Sequence, residues 1–247
     1  MGTTQLKSAS PLLITAAGLA SLLTIGFPAA AQHAGLQEHL AEIKAASAQN
    51  KQRLATYTWQ EQDTISLKGE VKKQESFQVR MGADGKPVKT PLNRGEVQQA
   101  QQAGGRRGGG RLRERIVENK KEKYREYAQQ IAALAHSYVP PDSAKLQEAF
   151  QQGNVKMGQG TAPTQVQILI TNYVKPNDSM TLTFDRSAKA IQSVQIASYL
   201  DSPSDAVRIA VQFAKLPDGT NHVATMVLEG VSKQMKVNIS NSNYAKL

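Results

Sequence analysis

Val207-Arg208-Ile209-Ala210-Val211-Gln212-Phe213 places Val207, Ile209, Val211 and Phe213 at alternate positions, the cleanest period-two run in the chain. Successive strand side chains point to opposite faces, so this stretch reads as a strand with one buried face. The same alternation extends outward in both directions. Upstream lie Val166, Ile168 and Ile170, then Met180, Leu182 and Phe184, then Val194 and Ile196; downstream lie Ala224, Met226 and Leu228, then Val231, Met235, Val237 and Ile239. Lys175-Pro176-Asn177-Asp178, Asp185-Arg186-Ser187, Pro217-Asp218-Gly219 and Gly230 punctuate these runs as turns. About six strands joined by short turns predict an antiparallel meander with one buried face.

The first half mixes helix and strand signals. Residues 35–54 carry Leu36, Leu40, Ile43 and Ala46 or Ser47 on one helical stripe. Residues 56–67 alternate, with Tyr57, Trp59, Ile65 and Leu67 on one parity. Glu61 and Asp63 interrupt that face, so this strand is expected to be partly buried or near an edge. Lys68-Gly69-Glu70 turns the chain, and Phe77, Val79 and Met81 alternate on the return. Residues 86–110 then read as a flexible Gly/Gln-rich loop, ending in Gly104-Gly105-Arg106-Arg107-Gly108-Gly109-Gly110. Helical spacing resumes over 111–138, stops at Pro140-Pro141, and restarts in a short helix capped by Asp142 or Ser143 and ended by Gly153.

Residues 1–31 have the form of a secretory signal peptide. Lys7 is the single charge before an apolar stretch from Pro11 to Phe27, and Ala29 and Ala31 supply the small residues that signal peptidase requires. The rival reading is a transmembrane anchor, because the apolar run approaches a bilayer-spanning length. Gly18, Gly26, Pro28 and the Ala-x-Ala ending favour cleavage, and with it a periplasmic or secreted protein that is not integral to a membrane. Removing 31 of the 247 residues leaves 216, read as a single domain over 32–247. The chain has no cysteine, which excludes disulfides, thiol catalysis, thiolate metal sites and a lipid-modified N-terminal cysteine. Its stability must come from packing.

Candidate chemistry is sparse. His33, His39, His136 and His222 show no metal-ligand spacing, and neither a G-x-S-x-G nor an S-x-x-K motif occurs in the mature chain. Glu61 and Asp63 would share one strand face as a carboxylate pair, but the expectation is two solvated side chains on an outer strand. No catalytic residue, metal or cofactor is assigned, and the chain is not read as an enzyme. The formal charge is +10, or +9 without Lys7, which leaves an anionic envelope partner and simple solubility as alternatives. Between Arg111 and Glu126, seven basic residues are offset by four acidic ones, most of them spaced three apart as on a charge-laddered helix. Arg106, Arg107, Arg111 and Arg113 remain as a cationic patch at a helix N-terminus, the expected anion-binding residues. With no aromatic residue nearby to stack on bases, nucleic acid is not an expected partner.

The order LQEHLAEIKAASAQNKQRLATY (36–57) followed by YTWQEQDTISLKGEVKKQESFQVRMGADGKP (57–87), with MTLTFDRSAKAIQSVQI (180–196) later, resembles the layout of LolA-like exported bacterial proteins, the lipoprotein-carrier superfamily. The chain is also similar to uncharacterised exported bacterial proteins. Residues 86–110 and the helix pair that follows depart from the superfamily layout. The resemblance implies an α+β fold: a strongly curved, half-barrel-like antiparallel sheet covered by helices and enclosing an apolar cavity. It further implies carriage of a lipid or other amphiphile in the cell envelope, with Tyr57, Trp59, Ile65 and Leu67 on the cavity side. The alternative is a structural or interaction protein of the envelope with a filled core and an anionic partner.

Cleavage after Ala31 makes Gln32 the first residue of the mature chain. Intact-mass measurement of protein recovered from the envelope fraction should show the loss of residues 1–31, and a mass retaining them would establish an anchor instead.

Overall fold

The computed structural model describes residues 29–83, 85–92 and 110–247, so the expected signal peptide lies almost wholly outside the described residues. Three helices and ten strands follow in the order α1 (Ala29–Leu54), β1 (Tyr57–Leu67), β2 (Glu70–Met81), β3 (Pro87–Pro91), α2 (Gly110–His136), α3 (Ser143–Gln151), β4 (Val155–Gln159), β5 (Gln165–Thr171), β6 (Ser179–Asp185), β7 (Ala190–Tyr199), β8 (Ala206–Lys215), β9 (Asn221–Gly230) and β10 (Met235–Lys246). All strands join one open antiparallel sheet in the spatial order β3-β2-β1-β10-β9-β8-β7-β6-β5-β4. Two meanders run away from a common centre, the β1–β10 pair. The architecture is the expected α+β one, a curved antiparallel sheet with helices on one face. Register shifts that bend and twist strands occur in four of the ladders, at Thr58/Gln60, Ile65/Ser66, Thr183/Phe184 and Gln212/Phe213.

The six expected C-terminal strands are β5 to β10. Their alternation becomes burial: Ile168, Ile170, Met180, Leu182, Val194, Val207 and Val211 are all fully enclosed. Two edge strands were not expected. β3 opens the stretch read as a loop from residue 86; it holds Val88 as its one apolar residue besides two prolines, and all five of its residues are exposed. Proline removes a ladder donor, which an edge strand tolerates. β4 presents the same problem at the other edge, with Val155 and Met157 its only large apolar residues. Residues 93–109 lie outside the described residues.

The helices cover the inner face unevenly. α1 packs on β7 and β9, α2 on β9, and α3 on β5. Leu40 and Ile43 from α1, Tyr127, Ile131 and Leu134 from α2, and Leu146 from α3 join the strand residues in one core. Asn50 fixes α1: its amide nitrogen donates to the Asn221 carbonyl at 2.7 Å, and its amide oxygen accepts from the Asn221 N–H at 2.6 Å. Gly230 makes room for α2, since a Cβ there would stand 2.5 Å from the Tyr127 ring and 2.7 Å from Ile131 Cδ1. The Tyr127 hydroxyl then donates to Asp205 at 2.8 Å. At the end of α2, the Tyr138 hydroxyl donates to buried Asp178 at 2.5 Å. Asp178 also accepts the backbone N–H groups of Tyr173, Val174 and Lys175 at 2.7–2.8 Å, tying the β5–β6 turn to the helix.

Val211 is fully buried, whereas its neighbour Gln212 is exposed. Val211→Asp should cost several kcal/mol and lower the melting temperature by on the order of 10 °C, because an unpaired charge enters the core. Gln212→Asp should stay within about 0.5 kcal/mol. Thermal melts of the two variants check this; equal small effects would refute the register.

Candidate functional site: an open cavity with a charged wall

The main helix contacts fall on β5, β7 and β9, and the inner face of β10, β1 and β2 forms one wall of a large open cavity. The cavity measures about 3040 Å³ and runs between this wall and the facing sides of α1 and α2. Small-molecule sites are typically about 300–1,000 Å³, so this space is several times larger. One part of the wall is apolar. Ile65 and Leu67 on β1 pair across the ladder with Val237 and Met235 on β10, and Met226 and Leu228 continue the surface on β9.

Farther along β1 the wall changes character. Trp59, Glu61 and Asp63 share the inward parity with Ile65 and Leu67 and line the same space. Lys89 reaches over from β3 to bond Glu61, and its Nζ lies 3.7 Å from Asp63 Oδ2. The same ammonium sits 5.5 Å from the centre of the Phe77 ring. Glu61 is 7% exposed. Two carboxylates, one buried and one partly buried, thus share a single exposed lysine. Burial raises the Asp63 carboxyl to about 7, against the pull of Lys89 and with the push of Glu61. Asp63 Oδ1, Asn241 Oδ1 and Trp59 Nε1 are buried without a hydrogen-bond partner.

An aromatic strip borders this polar patch. The Trp59 and Tyr244 rings stack at 5.5 Å and 16°, and His222 lies 4.2 Å from Tyr244 at 44°. Burial, with a smaller contribution from Glu61, pushes the Tyr244 phenol far above its usual range. His222 Nδ1 faces the Val223 carbonyl at 3.1 Å. Among the described residues, no group of three or more His, Asp or Glu could hold a metal ion, and no helix is long and apolar enough to cross a membrane.

No family model matches the chain, and no curated protein matches it. The chain is similar to two solved structures. One is a DUF1329 family protein from Desulfovibrio piger, at 13% identity and a TM-score of 0.42 over 85% of this chain and 92% of that one. The other is a LolA superfamily protein from Nitrosomonas europaea, at 9% identity and a TM-score of 0.37 over the same shares.

The structure places the sequence-expected residues as follows. Trp59, Ile65 and Leu67 line the cavity; Tyr57 does not. The Tyr57 hydroxyl donates to Asp218 Oδ2 at 2.6 Å, and Lys246 lies 3.4 Å from the same oxygen, so Tyr57 anchors β1 to the β8–β9 turn. Arg106 and Arg107 lie outside the described residues, and of Arg111 and Arg113 only the helical backbone is described. The expectation that Glu61 and Asp63 are solvated on an outer strand is corrected. β1 is central, flanked by β2 and β10, and both carboxylates face the cavity. Their signal in the sequence was the interruption itself: two acids on the parity that otherwise carries the buried residues.

The raised Asp63 pKa predicts a pH-dependent stability. Between about pH 4 and about pH 7 the folded state holds a proton that the unfolded state has released, so stability falls as pH rises through this window. Asp63→Asn removes the titration. The melting-temperature difference between Asp63→Asn and the wild type should therefore widen in favour of the variant from pH 5 to pH 8. A constant difference across that range would overturn the assignment.

Proposed function

We propose that this chain is a non-catalytic carrier that holds a hydrophobic or amphiphilic ligand in the cavity between β1, β2, β10 and the helices, and that it works in the cell envelope after export. The observation that supports this reading is the uncovered inner face of β10 and β1. Ile65, Leu67 and Ile239 face the opening and are only partly buried, as is Phe213 of β8, whereas Ile168, Ile170, Met180, Leu182, Val194, Val207 and Val211 on β5 to β8 are fully buried. A protein selected only for stability would close such a face, since each buried methylene contributes about 0.8 kcal/mol. The alternative of an envelope protein with a filled core gives this opening no purpose. Apolar chains would lie along Ile65, Leu67, Val237 and Met226, with a polar head toward Glu61, Asp63, Lys89 and the orphaned Trp59 and Asn241 groups.

Trp59 is the only tryptophan and a wall residue, so it reports directly on occupancy. A fatty acid or lysophospholipid added below its micelle concentration should shift Trp59 emission saturably, as the ligand displaces water near the indole. Ile65→Glu should weaken that uptake by at least about tenfold, because it sets a charge against the alkyl chain. Absence of a saturable shift, together with absence of lipid in organic extracts of the native protein, would overturn the reading.

A further inference from the structure

The net positive charge of the described side chains lies at the cavity. Among the described side chains, eleven lysines and arginines line it against five aspartates and glutamates. Everywhere else, twelve basic and twelve acidic described side chains cancel. Of the five lining acids, Glu61 is buried and Asp63 and Glu75 are partly buried, while Lys44 and Lys51 on α1, Lys120, Lys121 and Arg125 on α2, and Lys189 in the β6–β7 turn are all exposed. Among the described residues, none of these six has an acidic partner within 4.0 Å. The opening is thus bordered by free cations on both long helices and on a sheet turn.

We propose that the mouth of the cavity docks on an anionic bilayer surface and presents its opening to the lipid. This rests on the carriage reading and names where the cargo is exchanged. An apolar cargo has almost no free concentration in water, so a cavity that fills and empties must do so against a lipid phase. The surface that meets that phase is the one around the opening. Six unpaired cations spread over three elements span more than one headgroup, which suits a charged surface better than a single bound anion. Each lysine or arginine held near an anionic bilayer contributes roughly fivefold in binding, and the attraction falls off within about a Debye length.

The test is co-sedimentation of the full chain with vesicles of phosphatidylcholine alone, or of phosphatidylcholine with about one-third phosphatidylglycerol. Binding should be confined to the anionic vesicles and should fall steeply between about 0.1 M and about 0.5 M salt. The variant K44Q/K51Q/K120Q/K121Q should lose at least about 100-fold of this binding. The matched variant K68Q/K156Q/K233Q/K236Q removes the same charge away from the cavity and should stay within about threefold of wild type. Equal losses in the two variants would mean non-specific attraction to a basic protein and would overturn the proposal. So would equal binding to neutral vesicles, which would assign the contact to apolar insertion, and so would no binding at all. Trp59 emission with lysophospholipid below its micelle concentration, read on the same variants, separates the two claims. Vesicle docking without a saturable emission shift sinks carriage and leaves the docking face standing, whereas the shift without docking sinks the docking face alone.

Discussion

The β1–β10 ladder is the constraint on which the molecule depends. It runs from Tyr57↔Lys246 to Leu67↔Met235 and joins segments almost at opposite ends of the described chain. Without it, β1, β2 and β3 would form a separate three-stranded sheet. With it, the inward residues of β1 continue the inward face of β10, and two meanders become one curved surface. A one-residue slip would turn Ile65 and Leu67 to solvent and Thr64 and Ser66 to the cavity. The Tyr57–Asp218–Lys246 contacts at one end and the apolar Leu67–Met235 pairing at the other hold that register.

The same ladder creates the electrostatic peculiarity of the wall. It places β1 inside the sheet, third from the edge, where Glu61 is buried and Asp63 partly buried. Two carboxylates and one ammonium leave a deficit of one positive charge, which a proton on Asp63 or a donor from a ligand head would meet. A buried pair of this kind is weak evidence for stability, since desolvation offsets much of the attraction. The polar groups left without partners lie beside the aliphatic wall of the cavity.

Much of the fold was legible because alternation is a local signal. Val207, Ile209 and Val211 announced a half-buried strand without reference to any partner, and each of the six later strands did likewise. The Asp142 cap of α3 was equally local, and its side chain accepts from the N–H groups of Ala144 and Lys145 at 2.7 and 3.1 Å. β3 and β4 were invisible because an edge strand is held mainly by backbone hydrogen bonds, to which side-chain pattern is blind. Tyr57 was read as a cavity residue from parity alone. Parity chooses a face, not what lies across from it, and the β8–β9 turn fills the space opposite its hydroxyl.

Sequence alone determined the fold class, the parity of each strong strand, the caps and turns, and the absence of thiol chemistry, because each follows from neighbouring residues and backbone geometry. It also held the clue at Glu61 and Asp63, but not its meaning. Only the tertiary structure decided that β1 pairs with β10, that the helices cover the sheet on one side and leave the other open, and that unpaired lysines from α1 and α2 border the opening. These depend on which surfaces meet across some 180 residues of chain, and the free energy of that meeting lies in burial and charge summed over distant segments.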